Sequence, residues 1–517
     1  MSINRRALFR TAGLVAGAAG AGALLDACSA ATPSPDPARD AGPAVPRQGG
    51  TLRAVFTGGG ASESLDPFGS GSPADFVRGD VVFDSLFTLI DGEAASALGD
   101  EVEVGPGAAS FMLKLREGVK WHDGSPFTAH DVVYSFQFMS SPKRAFPSQL
   151  SGYFDFGKIQ IRDPLTLVVP TRRPVGDPAL FLAALPGKMV KNGATFTGAT
   201  AIGTGAYQVV EFEAGRGSRL ERFDGHWAGK APADELVLLS LVDSQARVNA
   251  VVTGQADYAG DIPFTTGKAG VPGNDFEVRT AGAKNRTAYG WVLNTTIKPF
   301  DDPRARKAVR LTIARQQLVD SVLLGYGAPG NDLLCAGAKY FMPRAPLARD
   351  VGQARKLVKE SGADAAEIVI RTAEWEVGYN ASTRLLAEQL KEIGLKVRAD
   401  VVSPPEFFEP DAVAAANGVA FSSGAIPLAV MYGRLGASPP LALKDNEFAA
   451  AFGTAIGNED KAERAKAWDD VQEIMFDRGN TVVWGQADVL SLARKTVAGI
   501  VVRDQPKYPY LGKAGLA

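Results

Sequence analysis

Residues 111–136, FMLKLREGVKWHDGSPFTAHDVVYSF, constrain the fold of this chain more than any other stretch. Phe111, Leu113 and Leu115 alternate with Met112, Lys114 and Arg116, the period of a strand with one face in a core and the other in water. Glu117-Gly118 and Asp123-Gly124 are turn signals on either side of a second, shorter strand. Thr128 precedes Asp131 by three positions, a carboxylate version of the capping box, and Val132, Phe136 and Met139 then share one helical face.

At 517 residues the chain is too long for one simple core, so two or three lobes are expected. Lys plus Arg (55) nearly balances Asp plus Glu (57), so no global field favours nucleic acid. Three histidines and two cysteines leave too few soft ligands for a structural zinc site, and no cofactor is expected.

The first 31 residues read as an export address. Arg5-Arg6 lies in a basic head, residues 14–25 form an apolar run too short to anchor in a bilayer, and Leu25-Asp26-Ala27-Cys28 resembles a bacterial lipobox. Residues 1–27 are thus expected to be a signal peptide and Cys28 the lipidated residue. The Pro/Ala/Gly/Asp-rich residues 28–49 would form a tether. Cys335 is then left without a partner and is expected to be a buried small hydrophobe.

Further along, residues 207–222 read as a hairpin, residues 235–241 as a strand and residues 244–252 as a helix. Asp302 and Pro303 open a helix in which Ala308, Leu311, Ala314, Leu318 and Val322 recur at helical spacing. It is expected to run unbroken to Gly325. Residues 368–371, 385–390 and 395–401 give strand, helix, strand, the pattern of a parallel βαβ unit. Helices are expected over residues 350–362 and 462–477, and late strands over 481–484 and 497–502. This alternation predicts an α/β body with two lobes.

Gly49-Gly50-Thr51-Leu52 with Leu65-Asp66-Pro67, residues 115–136, Gly203-Thr204-Gly205-Ala206-Tyr207, residues 254–257 and residues 294–326 follow in the order seen in one family. The chain resembles the peptide/nickel class (dipeptide/oligopeptide-binding, family 5) of ABC-transporter extracellular solute-binding proteins, over residues 49–510. The resemblance implies a bilobal periplasmic-binding-protein fold, type II-like, with an inserted third subdomain. It places lobe I at 50–83, 166–291 and 485–517, the insertion at 84–165 and lobe II at 292–484. It further implies a monomeric, lipid-anchored receptor outside the cytoplasm that closes on a small-molecule or peptide ligand and delivers it to an ABC permease, with no catalytic residue, no metal and no nucleic-acid partner.

By the same resemblance the pocket walls are Ser72, Gly260, Asp261, Tyr289, Trp291, Phe421, Ser422, Ser423, Gly424, Trp484 and Gln486. Trp375 and Tyr432 join them as aromatics in loops after strands, and Arg434 as a partner for a ligand carboxylate. One departure bears on the ligand. Peptide-binding members hold the ligand's α-amino group with an acidic residue, but residues 419–427, VAFSSGAIP, contain none. An ammonium without its partner loses roughly 2 to 5 kcal/mol in a desolvated site. That turns the expectation from ordinary peptides to N-blocked peptides, sugars or other polar metabolites. Nickel is disfavoured because His122, His130 and His226 lie in structural blocks. The alternatives are a lipoprotein that senses a solute for a signalling partner, and a secreted enzyme, against which Asp301-Asp302 reads as helix capping and His122-Asp123 as turn chemistry.

Overall fold

The computed structural model describes residues 45–517 except 70, 142–143, 145–147, 185–186, 197–199, 365, 375 and 404–405. The expected signal peptide, Cys28 and most of the tether therefore lie outside the described residues, as does Trp375.

Two large sheets carry the architecture. The first orders its seven strands as Phe276–Thr280, Leu490–Arg494, Tyr258–Gly260, Thr51–Phe56, Glu235–Ser240, Gly217–Arg222 and Tyr207–Glu213. Thr51–Phe56 runs parallel to both of its neighbours, and the expected hairpin forms the edge. The second sheet orders its six as Gly327–Pro329, Thr481–Ala487, Thr287–Leu293, Gly418–Ser423, Glu367–Thr372 and Lys396–Val401. Two of its interior strands, TAYGWVL and TVVWGQA, are buried at every position, which is why they read as apolar runs without alternation. The βαβ unit is present, with Glu367–Thr372 and Lys396–Val401 parallel across helix Tyr379–Leu390.

The chain passes between these sheets twice, through residues 281–286 and again through residues 488–489. Arg286 Nε donates to Asp488 Oδ1 at 2.7 Å, so a salt bridge ties one crossing to the other. A third sheet of four strands contains Ser110–Leu115 from the opening stretch, flanked by Gly99–Val104 and by Thr166–Pro170, the latter paired with Gln160–Asp163. The Thr128 backbone N–H donates to Asp131 Oδ2 at 2.9 Å, the capping-box bond expected ahead of helix Ala129–Met139. The second strand expected after Glu117-Gly118 amounts to one bridge between Lys120 and Pro126.

The helix expected to run unbroken from Pro303 is two, Pro303–Thr312 and Arg315–Val322. Ile313 is extended, at φ −70° and ψ 123°, and the Ala314 N–H donates to Gln389 Oε1 at 3.0 Å. Arg315 Nη2 then pairs with Asp332 Oδ2 at 2.7 Å, both side chains buried. Helix Pro73–Val82 escapes the apolar pattern because its buried face is partly ionic. Arg78 binds Asp75 at 2.5 Å, Glu63 at 3.1 Å and Ser218 at 3.2 Å.

Candidate ligand-binding site

Asp261 follows strand Tyr258–Gly260 of the first sheet in a left-handed conformation, φ 52°, which aspartate tolerates better than most residues. The buried Arg247 guanidinium fixes this turn by donating to the carbonyls of Leu241 (3.1 Å), Val242 (2.9 Å), Gly260 (3.2 Å) and Asp261 (2.6 Å). Gly260 has no room for a side chain, since a Cβ there would lie 2.6 Å from the Phe56 ring.

The second sheet brings three groups toward the same point. Tyr289 and Ser422 are register partners on adjacent strands. Glu376 lies in the loop after Glu367–Thr372, which Glu374 shapes by accepting from the Gly378 and Asn380 N–H groups at 2.5 and 3.2 Å. Ser422 Oγ donates to Glu376 Oε1 at 3.1 Å, and Tyr289 OH to Oε2 at 3.4 Å. Lys507, near the C-terminus, joins the two sides. Its Nζ donates to Asp261 Oδ2 at 3.2 Å and to Glu376 Oε2. Burial disfavours the Lys507 ammonium, but Asp261 and Glu376 overcome that and hold its pKa above the ordinary lysine value. Burial pushes the Glu376 carboxyl up against the pull of Lys507, and pushes Tyr289 far enough that it stays a neutral phenol.

Next to this cluster is a cavity of about 290 Å³, lined among others by Phe76, Asp80, Phe87, Arg434, Arg503 and Tyr508. Tyr508 connects the two features. Its ring lies 4.7 Å from that of Phe76, and its phenol is within electrostatic reach of Lys507, Glu376, Asp261 and Arg434. Residues 503–508 are pinned over the end of strand Gly418–Ser423, where Asp504 O accepts from the Ala425 N–H at 3.0 Å and a Cβ on Gly424 would come within 2.9 Å of that oxygen.

Of the residues expected in the pocket, Asp261, Tyr289 and Ser422 meet in the ionic cluster, and Arg434 lines the cavity. Trp484 packs its ring 5.9 Å from Tyr289 and is buried. Phe421 is half-buried on the strand beside Ser422. Ser423 turns instead to Cys335, whose N–H it accepts at 2.9 Å. The Cys335 thiol is buried, which pushes its pKa up to about 12 and keeps it unreactive. Ser72 caps helix Pro73–Val82, accepting from the Asp75 N–H at 3.2 Å. Trp291 is a core residue that donates to Thr383 Oγ1 at 3.3 Å under helix Tyr379–Leu390. Tyr432 is buried in helix Leu428–Gly436 against Phe448, and Gln486 is buried in strand Thr481–Ala487.

Glu376, Lys507 and Tyr508 were not among the expected residues. Glu376 adjoins Trp375, and a lone carboxylate in a loop carries no periodic signal of its own. The tract Lys507-Tyr508-Pro509-Tyr510 after the last long strand was the available signal. Residues 419–427 do lack a carboxylate, but Glu376 supplies one to Ser422 from the neighbouring loop.

The family model for bacterial extracellular solute-binding proteins, family 5 (middle region), matches residues 93–433. The chain belongs to this family. The glutathione-binding protein GsiB of Pectobacterium atrosepticum is 28% identical over 362 residues, which is 67% of this chain and 68% of that protein. Two solved structures share the bilobal fold. The ABC transporter-associated periplasmic binding protein DppA of Helicobacter pylori, in complex with the peptide STSA, aligns at TM-score 0.75 and 18% identity over 90% of this chain and 99% of its own. NikA of Brucella suis, in complex with Fe(III)-EDTA, aligns at TM-score 0.76 and 17% identity over 90% of this chain and 100% of its own.

This family 5 chain is thus a solute-binding receptor of the kind that serves ABC importers, and its family and neighbours are binding proteins. Among the described residues no group of three or more His, Cys, Asp or Glu is placed to hold a metal ion. His122 and His226 are structural. The His122 ring accepts from the Gly203 N–H at 3.2 Å and contacts Gly205 O at 3.0 Å, while His226 lies 3.6 Å from the buried Asp84.

Proposed function

We propose that the two large sheets are the cores of the two lobes and that solute is captured where they meet, at Asp261, Tyr289, Glu376, Ser422, Lys507 and the adjoining cavity. The observation that carries this reading is the ionic cluster itself, in which one buried lysine pairs with an acid from each side. A cluster of this kind gives the closed arrangement contacts that lobe separation removes, so a ligand completing it shifts the population toward closure. The receptor then presents its closed form to a membrane permease. The captured solute is small and polar, peptide-like or otherwise, and the similarity to a glutathione-binding protein makes thiol tripeptides one class to test.

The same reading places the receptor outside the cytoplasm as a monomer, anchored by a lipid on Cys28 that raises its effective concentration near the permease. Among the described residues no helix is long and apolar enough to cross a membrane. Native mass spectrometry of the purified protein, followed by thermal shifts against peptide, sugar and siderophore panels, tests the receptor reading. A retained solute or a saturable shift supports it, and turnover without a stable complex overturns it. For the anchor, intact mass of the membrane fraction should show a diacylglycerol adduct that Cys28→Ala abolishes.

A further inference from the structure

We propose that the cavity bounded by helix Pro73–Val82, helix Leu428–Gly436 and residues 503–508 receives the carboxylate of a solute that lacks a free ammonium group, with Arg434 as its counter-ion. This rests on the capture reading above and narrows it to a ligand class.

Two independent observations support it. The first is the state of each charge on the cavity wall. Asp80 already holds Lys188 and, at 3.2 Å, Arg503, whose guanidinium also lies 4.2 Å over the Tyr510 ring. Asp504 Oδ2 accepts from the Gly92 N–H at 3.0 Å. Arg434 is different. Its side chain is exposed on the last turn of its helix, opens on the cavity and makes no hydrogen bond or ion pair with the described residues. A guanidinium presents a planar fork of donors matched to a carboxylate, and in a recess walled by Phe76, Phe87 and Tyr508 it competes with less water than on an open surface.

The second observation is that the acids which would bind a ligand ammonium are already occupied. Lys507 donates to both Asp261 and Glu376, and Ser422 and Tyr289 supply the remaining donors to Glu376. A ligand ammonium has to displace a tethered lysine whose effective concentration is high, so an amine gains little there. An N-blocked amino acid or another compact carboxylic acid meets both conditions. The volume, about 290 Å³, corresponds to roughly ten waters at ~30 Å³ each, which suits a solute of that size.

The full-length protein is stripped of retained solute by unfolding and refolding, then titrated by calorimetry with N-acetyl-phenylalanine, its primary amide and free phenylalanine. The acid is expected to bind about 10- to 100-fold more tightly than the amide, the loss typical of removing one charge-assisted contact. Free phenylalanine is expected to bind more weakly than the blocked acid. Arg434→Gln should weaken the acid by the same factor while weakening the amide far less, and Arg434→Lys should recover part of the loss. Equal binding of acid and amide, or an Arg434→Gln protein that binds the acid as the parent does, overturns the proposal. So does free phenylalanine binding as tightly as the blocked acid. If native mass spectrometry shows a retained solute with no acidic group, the ligand class is wrong while the receptor reading stands. If no solute of any class binds, the receptor reading itself fails.

Discussion

Removing the Arg315 guanidinium strands Asp332, whose side chain is fully buried and whose Oδ2 it holds at 2.7 Å. Burial already pushes the Asp332 carboxyl up, with Arg315 and Arg310 pulling it down. Arg315→Leu is therefore expected to cost about 3 to 5 kcal/mol in urea unfolding, the penalty for leaving one charge of a buried pair uncompensated. The double variant Arg315→Leu/Asp332→Leu should regain most of that loss, because it buries no charge. At this scale the sequence exposed the residue types of the site more readily than their pairings. Asp261, Tyr289 and Ser422 lie in strands or strand ends whose pattern could be read. Lys507 meets Glu376 across 131 positions and Asp261 across 246, and no local periodicity encodes such distances. Trp291 and Trp484, both expected to face the ligand, show the converse difficulty. An indole looks the same in a sequence whether it faces a cleft or, as Trp291 does, a helix.

Periodicity located most elements but not their interruptions. The helix from Pro303 keeps its apolar phase through Ala314 to Val322, so the break at Ile313 leaves no trace in the pattern and is visible only through the Gln389 side chain that accepts the freed Ala314 N–H. Gln389→Leu should cost about 1 to 3 kcal/mol, the loss expected when a partly buried backbone donor is left without its acceptor, read as a lowered unfolding midpoint at unchanged slope. Helix Pro73–Val82 leaves no apolar stripe in the sequence for a related reason, because its buried Arg78 and Asp75 have the residue types of a solvated face. The opening stretch, in contrast, is legible through its capping box and strand alternation, and one of its two histidines, His122, sets a pH dependence. Burial holds His122 at about 4, below the 6.5 of an unfolded histidine. Between those values the unfolded chain binds a proton that the native ring refuses, so the neutral ring's contribution is intact above pH 6.5 and is lost as pH falls toward 4. From pH 7 to pH 4.5 the parent should lose about 2 to 3 kcal/mol more stability than His122→Gln, measured by denaturant titration at both values.

For the molecule as a whole, the proposed capture between two lobes makes their closure depend on a cation that belongs to neither acid, since Lys507 pairs with both Asp261 and Glu376. Lys507→Met leaves Asp261 and Glu376 facing each other across the junction without the ammonium between them. Juxtaposed like charges in a partly desolvated setting cost several kcal/mol, and lobe separation is the cheapest relief because it restores water to both. Each 1.4 kcal/mol moves the open-to-closed ratio about tenfold, so the solute-free variant should be predominantly open, with a larger radius of gyration by small-angle X-ray scattering than the parent. Acidification should reverse this. Burial raises the Glu376 pKa, so its carboxyl takes up a proton in the closed form before it does in the open one, and falling pH favours closure in the variant. Adding Glu376→Gln to Lys507→Met removes one of the two charges and should return the radius toward the parent value at neutral pH. A variant whose scattering matches the parent at neutral pH would mean that the Arg286–Asp488 tie and the packing of residues 503–508 hold the lobes together, and that Lys507 is a passenger in their closure.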